Sequence, residues 1–431
     1  MKVYLETTGC RLNQSEIETI ARQFRQAGHV IVGSAEEADL CVVNTCAVTS
    51  EATRSSRHMI RRLNRGNPRA SIVATGCYAH LSPEIVGSLP GVTQVINNLD
   101  KDRLVPLVLH LDCQTDLFDR EPLASEFLGA ALGRTRAFVK VQDGCDNRCT
   151  FCVTTIARGP GRSRPLEDIL LEIQALGSAG YQEAVLTGVH LGSYGHDRGE
   201  RDDLFSLVRA ILNRTEIRRL RLSSLEPWDL SPAFFELWSD ARLCRHLHLP
   251  LQSGCDATLK RMARHTTQAR FRDLVSSARA QIPDLAISTD VIVGFPGETE
   301  AEFEISSAFV REMAFMKLHV FRYSPRAGTA AARMPGQVPE EIKKERSTRL
   351  LAQSDEGTRR FCERFVGREV EVLWEQIAGA SEAGFHNTGL TENYLRVEME
   401  SPIVLTNTIT TVRLAAVTGH GFRGEVVPAV R

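Results

Sequence analysis

The chain has 431 residues, with 52 Lys and Arg against 53 Asp and Glu, a formal net charge of −1 at pH 7. That balance excludes a globally basic nucleic-acid binder, so any phosphate-binding surface has to be local. At 42% hydrophobic and 24% charged residues the composition excludes a disordered or collagen-like chain, and no apolar run reaches the roughly 18 residues of a membrane span.

Residues 1–115 alternate strand-like and helical runs. KVYLETT from Lys2, DLCVVNT from Asp39, SIVATG from Ser71 and VTQVIN from Val92 read as strands. Helical patterns such as NQSEIETIARQFRQAG from Asn13 fall between them. This alternation predicts an N-terminal doubly wound parallel sheet, an α/β class. Residues 116–135 have no clear period and read as a linker. In residues 136–365 a second βα series runs through AFVKV from Ala137, EAVLTG from Glu183, RRLRLSS from Arg218, HLHLPLQ from His246, AISTDVIVG from Ala286 and KLHVFRYS from Lys317. Six units are too few for a closed eight-unit barrel, so a central open six-unit βα partial barrel is expected, followed by a charged connector helix. Across residues 366–431 the period changes to two, in REVEVLW, NYLRVEM and IVLTNTITTVRLAAV, which predicts a small C-terminal β-barrel. The opening MKVYLETTGC lacks the apolar core of a signal peptide, and a cytoplasmic location is expected.

Eleven cysteines are far too few for a disulfide scaffold, and clustered ones in a reducing compartment point to metal or catalysis. Cys145, Cys149 and Cys152 form a C-x3-C-x2-C run, in VQDGCDNRCTFCVTTIARG, just after the first strand of the partial barrel. A four-iron cluster normally takes four thiolates; three, with no fourth nearby, leave one iron open to a ligand. Structural zinc is the competing reading, but it wants four protein ligands.

With LTGVHLGSYG (Leu186 to Gly195), LQSG (Leu251 to Gly254) and TDVIVGFPGET (Thr289 to Thr299) at later strand ends, this run resembles the radical S-adenosylmethionine enzymes. The resemblance implies that the open iron chelates the amino and carboxylate groups of S-adenosyl-L-methionine, which one electron cleaves to methionine and a 5′-deoxyadenosyl radical. It makes Cys145, Cys149 and Cys152 the catalytic cluster ligands and places Phe151 near the cofactor's adenine. Gly188, Gln252, Ser253 and Gly294 are the further cofactor-binding positions it implies.

Cys10, Cys46 and Cys77 are more than thirty residues apart, yet each follows a predicted strand: LETTGC, VVNTC and VATGC. Parallel strands put their C-terminal ends along one sheet edge, where three thiols can converge. Three unrelated buried cysteines are the plainer alternative. The arrangement is similar to the methylthiotransferases, whose N-terminal domain carries a second three-cysteine 4Fe-4S cluster and whose C-terminal barrel is called TRAM. Within that family VNTCAVTSEATRSSRHMIRR and LTGVHLGSYG look most like the branch acting on threonylcarbamoyladenosine in tRNA. Methylthiolation of isopentenyladenosine or of a ribosomal protein residue is the alternative, and a non-catalytic Fe–S or RNA-binding module is the alternative of another class.

The implied target is a C–H bond at carbon 2 of adenine. It has no acidic proton, so a His or carboxylate base cannot activate it, whereas radical chemistry can. The family's route uses two S-adenosylmethionine molecules, one to methylate a sulfur and one as radical source, with tRNA and a one-electron reductant protein as partners and a monomer as the expected state. Cys41, Cys113, Cys244, Cys255 and Cys362 have no spacing partner and read as structural; His190, His246 and His248 read as hydrogen-bonded core or rim groups. From Arg54 to Arg69 there are six Arg and no acid. At helical spacing Arg54, Arg57, Arg61 and Arg65 share one face, with Ala52, Met59 and Leu63 opposite, which makes the row a candidate RNA-binding face.

Overall fold

The computed structural model describes residues 1–111, 135–199, 203–382, 384–419 and 421–427. The linker read at 116–135 lies outside the described residues except for Thr135, and Cys113 lies outside them too.

Five strands form the first sheet: β1 (Lys2–Thr7), β2 (Val30–Ile31), β3 (Leu40–Thr45), β4 (Ser71–Gly76) and β5 (Val92–Val95). They pair in parallel in the order β2-β1-β3-β4-β5. All six residues of β3 are buried, as a strand covered on both faces must be. Alternation along the strands sends Val3, Val42 and Val73 to one face, where Ile17 and Phe24 of α1 (Arg11–Gln26) pack. Cys41, Val43, Ile72 and Ala74 face the other side, against Ile60 and Leu63 of α2 (Ser50–Gly66). The sheet is therefore doubly wound, as expected. β2 was not read from the sequence because two residues carry no period. The strand order reverses between β1 and β3, and the crevice beyond their C-terminal ends is where such sheets bind ligands.

The central unit begins with β6 (Arg136–Lys140). The short pair β7 (Gln142–Asp143) and β8 (Arg162–Ser163) then braces the neck of the C-x3-C-x2-C loop. β9 (Glu183–Thr187) and β10 (Arg219–Leu222) complete a parallel sheet with β6, and β11 (His246–His248), β12 (Ala286–Val293) and β13 (Lys317–Arg322) form another. Bridges Leu220 to Leu243 and Ser224 to His248 join the two sheets into one six-strand arc. No pairing between β13 and β6 closes it among the described residues, so the partial barrel is open. Its helices seal the largest apolar core, with Ile169, Leu207, Phe271 and Phe309 against Val139, Leu186 and Val291.

The helix Glu340–Glu363 leads to a closed barrel of β14 (Glu369–Ser381), β15 (Gly384–Thr391), β16 (Arg396–Ser401), β17 (Ile409–Thr418) and β18 (Gly421–Val426), in the order β14-β15-β16-β18-β17. Val372, Trp374, Val397, Leu414 and Phe422 fill it. Alternation revealed three of these strands. β15 and β18 were hidden by their glycines: Gly389 lies so close to β14 that a Cβ would stand 2.4 Å from the Leu373 carbonyl oxygen. The turn between β15 and β16 sends Tyr394 into the lumen of the central barrel. There its ring lies 4.5 Å from the Arg221 guanidinium, and its hydroxyl accepts hydrogen bonds from Arg11 (2.7 Å) and Arg136 (3.0 Å).

Candidate functional site

Three strand ends deliver the first thiol triplet. Cys10 is the N-cap of α1 beyond β1, Cys46 follows β3, and Cys77 opens the helix α3 (Cys77–Leu81) beyond β4. Burial raises the Cys10 thiol, with Arg158 acting in the opposite sense. Two glycines let the chain close in. A Cβ on Gly9 (φ 105°) would stand 2.7 Å from the Cys46 Cβ and 2.8 Å from its Sγ. A Cβ on Gly76 (φ 96°) would stand 2.3 Å from the Thr45 carbonyl oxygen. Burial pushes the Cys46 thiol up to about 11, and Cys10 and Cys77 push it the same way, so the three sulfurs feel one another. Asn98 Nδ2 stands 3.8 Å from the Cys77 Sγ, and the Asn98 Oδ1 is buried without a partner among the described residues.

The second triplet lies on the loop between β7 and β8. The backbone N–H of Asn147 donates to the Cys145 Sγ and that of Thr154 to the Cys152 Sγ, each at 3.4 Å. Arg264 Nη1 donates to the Cys149 Sγ at 3.6 Å. That guanidinium is fixed by Glu226 and by the Pro250 carbonyl oxygen, and it lies 4.4 Å from the Trp228 ring. His190, whose Nε2 stands 2.6 Å from Asp229 Oδ2, faces Cys145. Burial alone would lower the pKa of His190, but its hydrogen bonds to Asp229 and Cys145 outweigh this and carry it up to about 10. Burial pushes the Cys149 thiol up to about 11 against the pull of Arg264. Sulfurs that accept N–H bonds and sit beside fixed cations are the donor set that an iron–sulfur cluster binds as thiolates, and the three residues fit one.

Arg158 ties the two triplets together. It ends the short helix Thr154–Arg158 after the C-x3-C-x2-C run and is 3% exposed. Its guanidinium bonds Asn13 Oδ1 (2.8 Å), Glu16 Oε1 (2.8 Å) and Asp143 Oδ1 (2.9 Å). Asn13 also reaches the Thr8 and Thr45 carbonyl oxygens beside Cys10 and Cys46. Glu16 takes Lys101 at 2.7 Å and Asn44 at 2.9 Å. Burial alone would raise the Glu16 carboxyl; Arg158 and Lys101 outweigh it and hold it well below the usual carboxylate range. The Ala157 carbonyl oxygen accepts from Asn98 at 2.7 Å, a second link.

Beside Cys152 lies a cleft of about 710 Å³ open to solvent, lined among others by Phe151, Gln252, Asp290 and Arg326 and by Val48 and Thr49 from the loop after Cys46. Phe151 and Gln252 are thus in the cleft, and Gln252 (φ 70°) is set there by ladder bonds to Asp290 and Ile292. The other expected cofactor positions stand elsewhere. Gly188 packs on Gln142, whose amide knits the cysteine loop to the His190 backbone N–H. Ser253 is fully buried and accepts from the Cys255 N–H at 3.2 Å. Gly294 (φ 70°) leaves room for Lys343, whose Cγ a Cβ would meet at 2.3 Å.

Arg54, Arg61 and Arg65 are exposed and Arg57 is half-buried; none has an ion pair among the described residues, whereas Arg62 pairs with Glu6. The buried face of α2 differs from the sequence reading: Ser56, Ile60 and Leu63 point inward, and Ala52 and Met59 sit at its margin. Ser56 is inward because its hydroxyl bonds the Cys46 backbone at both N (3.0 Å) and O (3.2 Å). Cys41, Cys244, Cys255 and Cys362 are buried, as structural cysteines are. His246 and His248 both bond Ser288 at 2.9 Å. Asn13, Glu16, Asn98, Arg158, Arg264 and Arg326 were not singled out from the sequence. Only Arg158, at the end of the cysteine motif, carried a local signal.

Residues 2–97 match the family described as uncharacterized protein family UPF0004, and residues 139–310 match the radical SAM superfamily. A Bacillus subtilis (strain 168) protein named threonylcarbamoyladenosine tRNA methylthiotransferase MtaB is 38% identical, over 92% of this chain and 89% of its own length. A Thermotoga maritima protein of the same name is 39% identical over 86% of each chain. A tRNA-2-methylthio-N(6)-dimethylallyladenosine synthase of Acetivibrio thermocellus is 34% identical, over 99% of this chain and 91% of that one. Among solved structures, the radical S-adenosylmethionine methyltransferase TsrM from Kitasatospora setae aligns with a TM-score of 0.55 at 14% identity, over 77% of both chains, which is a likeness of fold.

Proposed function

This chain belongs to the methylthiotransferase family of radical S-adenosylmethionine enzymes, and we propose that it attaches a methylthio group to carbon 2 of threonylcarbamoyladenosine beside the anticodon of tRNA. The observation that carries this reading is 38% and 39% identity, over 92% and 86% of the chain, to two relatives of that name, in a chain that has both thiol triplets at strand ends or on a strand-flanked loop. The dimethylallyladenosine branch, at 34% identity, is the second reading. Nucleoside mass spectrometry of tRNA from cells lacking the gene separates them: the methylthio form of threonylcarbamoyladenosine disappears under the first reading, that of dimethylallyladenosine under the second.

In this proposal Cys145, Cys149 and Cys152 hold one 4Fe-4S cluster and Cys10, Cys46 and Cys77 a second. When bound, the first cluster would supply the electron that cleaves S-adenosylmethionine, and the second would hold the sulfur that is methylated and transferred. Around them the protein's own groups orient and neutralise. Arg264 and His190 put positive charge beside Cys149 and Cys145, and Phe151 and Gln252 form the wall on which S-adenosylmethionine rests. In this reading the work divides among an N-terminal unit of residues 1–115, a core of 136–365 and a TRAM-like barrel of 366–431. The chain works as a cytoplasmic monomer with a one-electron reductant protein. No helix among the described residues is long and apolar enough to cross a membrane. Anaerobic reconstitution is expected to give about eight irons per chain, and about four once Cys10, Cys46 and Cys77 are all replaced by Ala. Four in both proteins would remove the second cluster.

Positive charge for tRNA sits on α2. The barrel of residues 366–431 has five Arg, no Lys and eight Glu, a net −3, a poor anchor for phosphates. The row Arg54, Arg57, Arg61 and Arg65 begins one turn into α2, eight residues beyond Cys46, and is free of carboxylates. Arg57→Glu with Arg61→Glu is expected to weaken tRNA binding and to flatten its salt dependence by up to about 0.9 log unit per lost contact, at unchanged iron content. Equal tRNA affinity across a salt titration would return that role to the C-terminal barrel.

A further inference from the structure

The segment that leaves β13 is held between the two thiol triplets. Ser324 Oγ bonds Ser50 Oγ at the start of α2, and the Ala331 N–H donates to the Thr150 carbonyl oxygen in the C-x3-C-x2-C loop at 2.9 Å. A Cβ on Gly328 would stand 3.0 Å from Ile156 Cδ1, so the turn lies directly on the helix that follows Cys152. From this pinned turn Arg326 lines the cleft.

Its guanidinium is unlike the others nearby. Nε and Nη2 of Arg326 are shut off from solvent with no hydrogen-bond partner among the described residues, and it has no ion pair there. Arg264, Arg261 and Arg346 also have one unbonded nitrogen each, but Glu226 holds the remaining ones of Arg264, Glu302 those of Arg261, and Glu298 with Glu300 those of Arg346. Arg322, also on the cleft, pairs with Glu340 at 2.6 Å, and Asp290 on the same wall stands 3.2 Å from His248. Burial depresses the hold of Arg326 on its proton, and the Cys46 sulfur acts in the opposite sense, which puts the guanidinium within electrostatic reach of that thiol. A charged fork with two buried N–H-bearing nitrogens and nothing to bond is unfavourable unless a ligand completes it. Its planar geometry matches an oxyanion, a carboxylate or a phosphate, gripped at two points.

We propose that Arg326 binds an oxyanion of the target nucleotide, either its phosphate or the threonyl carboxylate on its base, and thereby seats the adenine edge in the cleft beside Cys152. This rests on the threonylcarbamoyladenosine reading of the substrate. Arg326 is then a positioning group, which also confers specificity where the carboxylate is its partner, and it is no ligand of a cluster.

The test uses the full, reconstituted chain, Arg326→Met and Arg326→Lys, and two anticodon stem–loops. One carries threonylcarbamoyladenosine and the other its threonyl methyl ester, which lacks the anionic carboxylate. Arg326→Met is expected to raise KM for the first RNA by at least about tenfold, with a smaller effect on kcat, unchanged iron content and partial recovery in Arg326→Lys. If the ester RNA is insensitive to the substitution, the carboxylate is the oxyanion; if both RNAs lose alike, it is the phosphate. A KM within twofold of the original for both RNAs overturns the proposal. So does an equal rise in KM for S-adenosylmethionine, which would make the cofactor's own carboxylate the partner. A parent chain inert toward the threonylcarbamoyl RNA overturns the substrate reading instead, and that result needs no variant.

Discussion

Cys149→Ala is expected to abolish reductive cleavage of S-adenosylmethionine, whereas Cys46→Ala retains cleavage and makes no methylthiolated nucleoside. The reason is positional. Cys149 is the middle thiol of its triplet and the one that Arg264 touches, so its loss both removes a ligand and leaves a buried guanidinium without its sulfur partner. Cys46 belongs to a different edge, at the end of β3, and no atom of the C-x3-C-x2-C loop depends on it for a hydrogen bond among the described residues. The measurement is 5′-deoxyadenosine and modified nucleoside, side by side, in both variants. Normal methylthio transfer by Cys46→Ala would remove that cysteine from the site.

Arg158→Met should be the most damaging substitution outside the six cysteines. It strands the Asp143 carboxylate in a buried interface and leaves Glu16 to Lys101 and Asn44, and breaking a buried ion pair from one side costs about 3–5 kcal/mol. The pH dependence gives the prediction its sign. In the parent protein burial would raise both carboxyls, but Arg158, with Lys101 at Glu16 and Lys140 at Asp143, outweighs it and holds them below their unfolded values. Their contribution is therefore present above about pH 4.5 and lost as the pH falls below it. Without Arg158, burial of Asp143 acts unopposed by its main partner and raises its pKa, so acid relieves the strain. The stability gap between parent and variant should be widest near neutral pH and narrow toward pH 5 in denaturant titrations. A gap independent of pH would mean that Arg158 acts by packing alone.

Both triplets were legible in the sequence because each is marked by something local. One is a short run, and the other is a cysteine repeated after three strands whose carboxyl ends share an edge. The strands themselves were legible wherever apolar runs or strict alternation held, as in β3 and β12. What was not legible was made by pairing across distance. Arg158 meets Asn13 and Glu16 more than 140 residues away. On α1 those two residues look like a solvated polar face, yet both are buried, because the central unit covers that face. Ser56 misled in the same way, since a polar side chain bonded to the Cys46 backbone occupies a position that an apolar period would assign to a hydrophobic residue. The cofactor positions inferred by resemblance divide on the same ground. Phe151 and Gln252 reach the cleft, whereas Ser253 and Gly294 serve the backbone turns that shape it.

Tyr394 bears on how this protein can be taken apart. It belongs to the C-terminal barrel by sequence but to the floor of the central one by position, beneath the Arg136, Glu183 and Arg221 side chains and in contact with Arg11, the neighbour of Cys10. Cutting the chain before residue 366 would therefore do more than remove a terminal appendage. It would unseal a chamber in which Arg11, Arg136 and Arg221 share that one tyrosine. An assay on such a fragment would confound lost contact with RNA with a loosened Cys10 strand end. Swapping this barrel between relatives carries the same constraint: the graft has to bring an aromatic hydroxyl at that turn, so the three units are inherited as one fitted set.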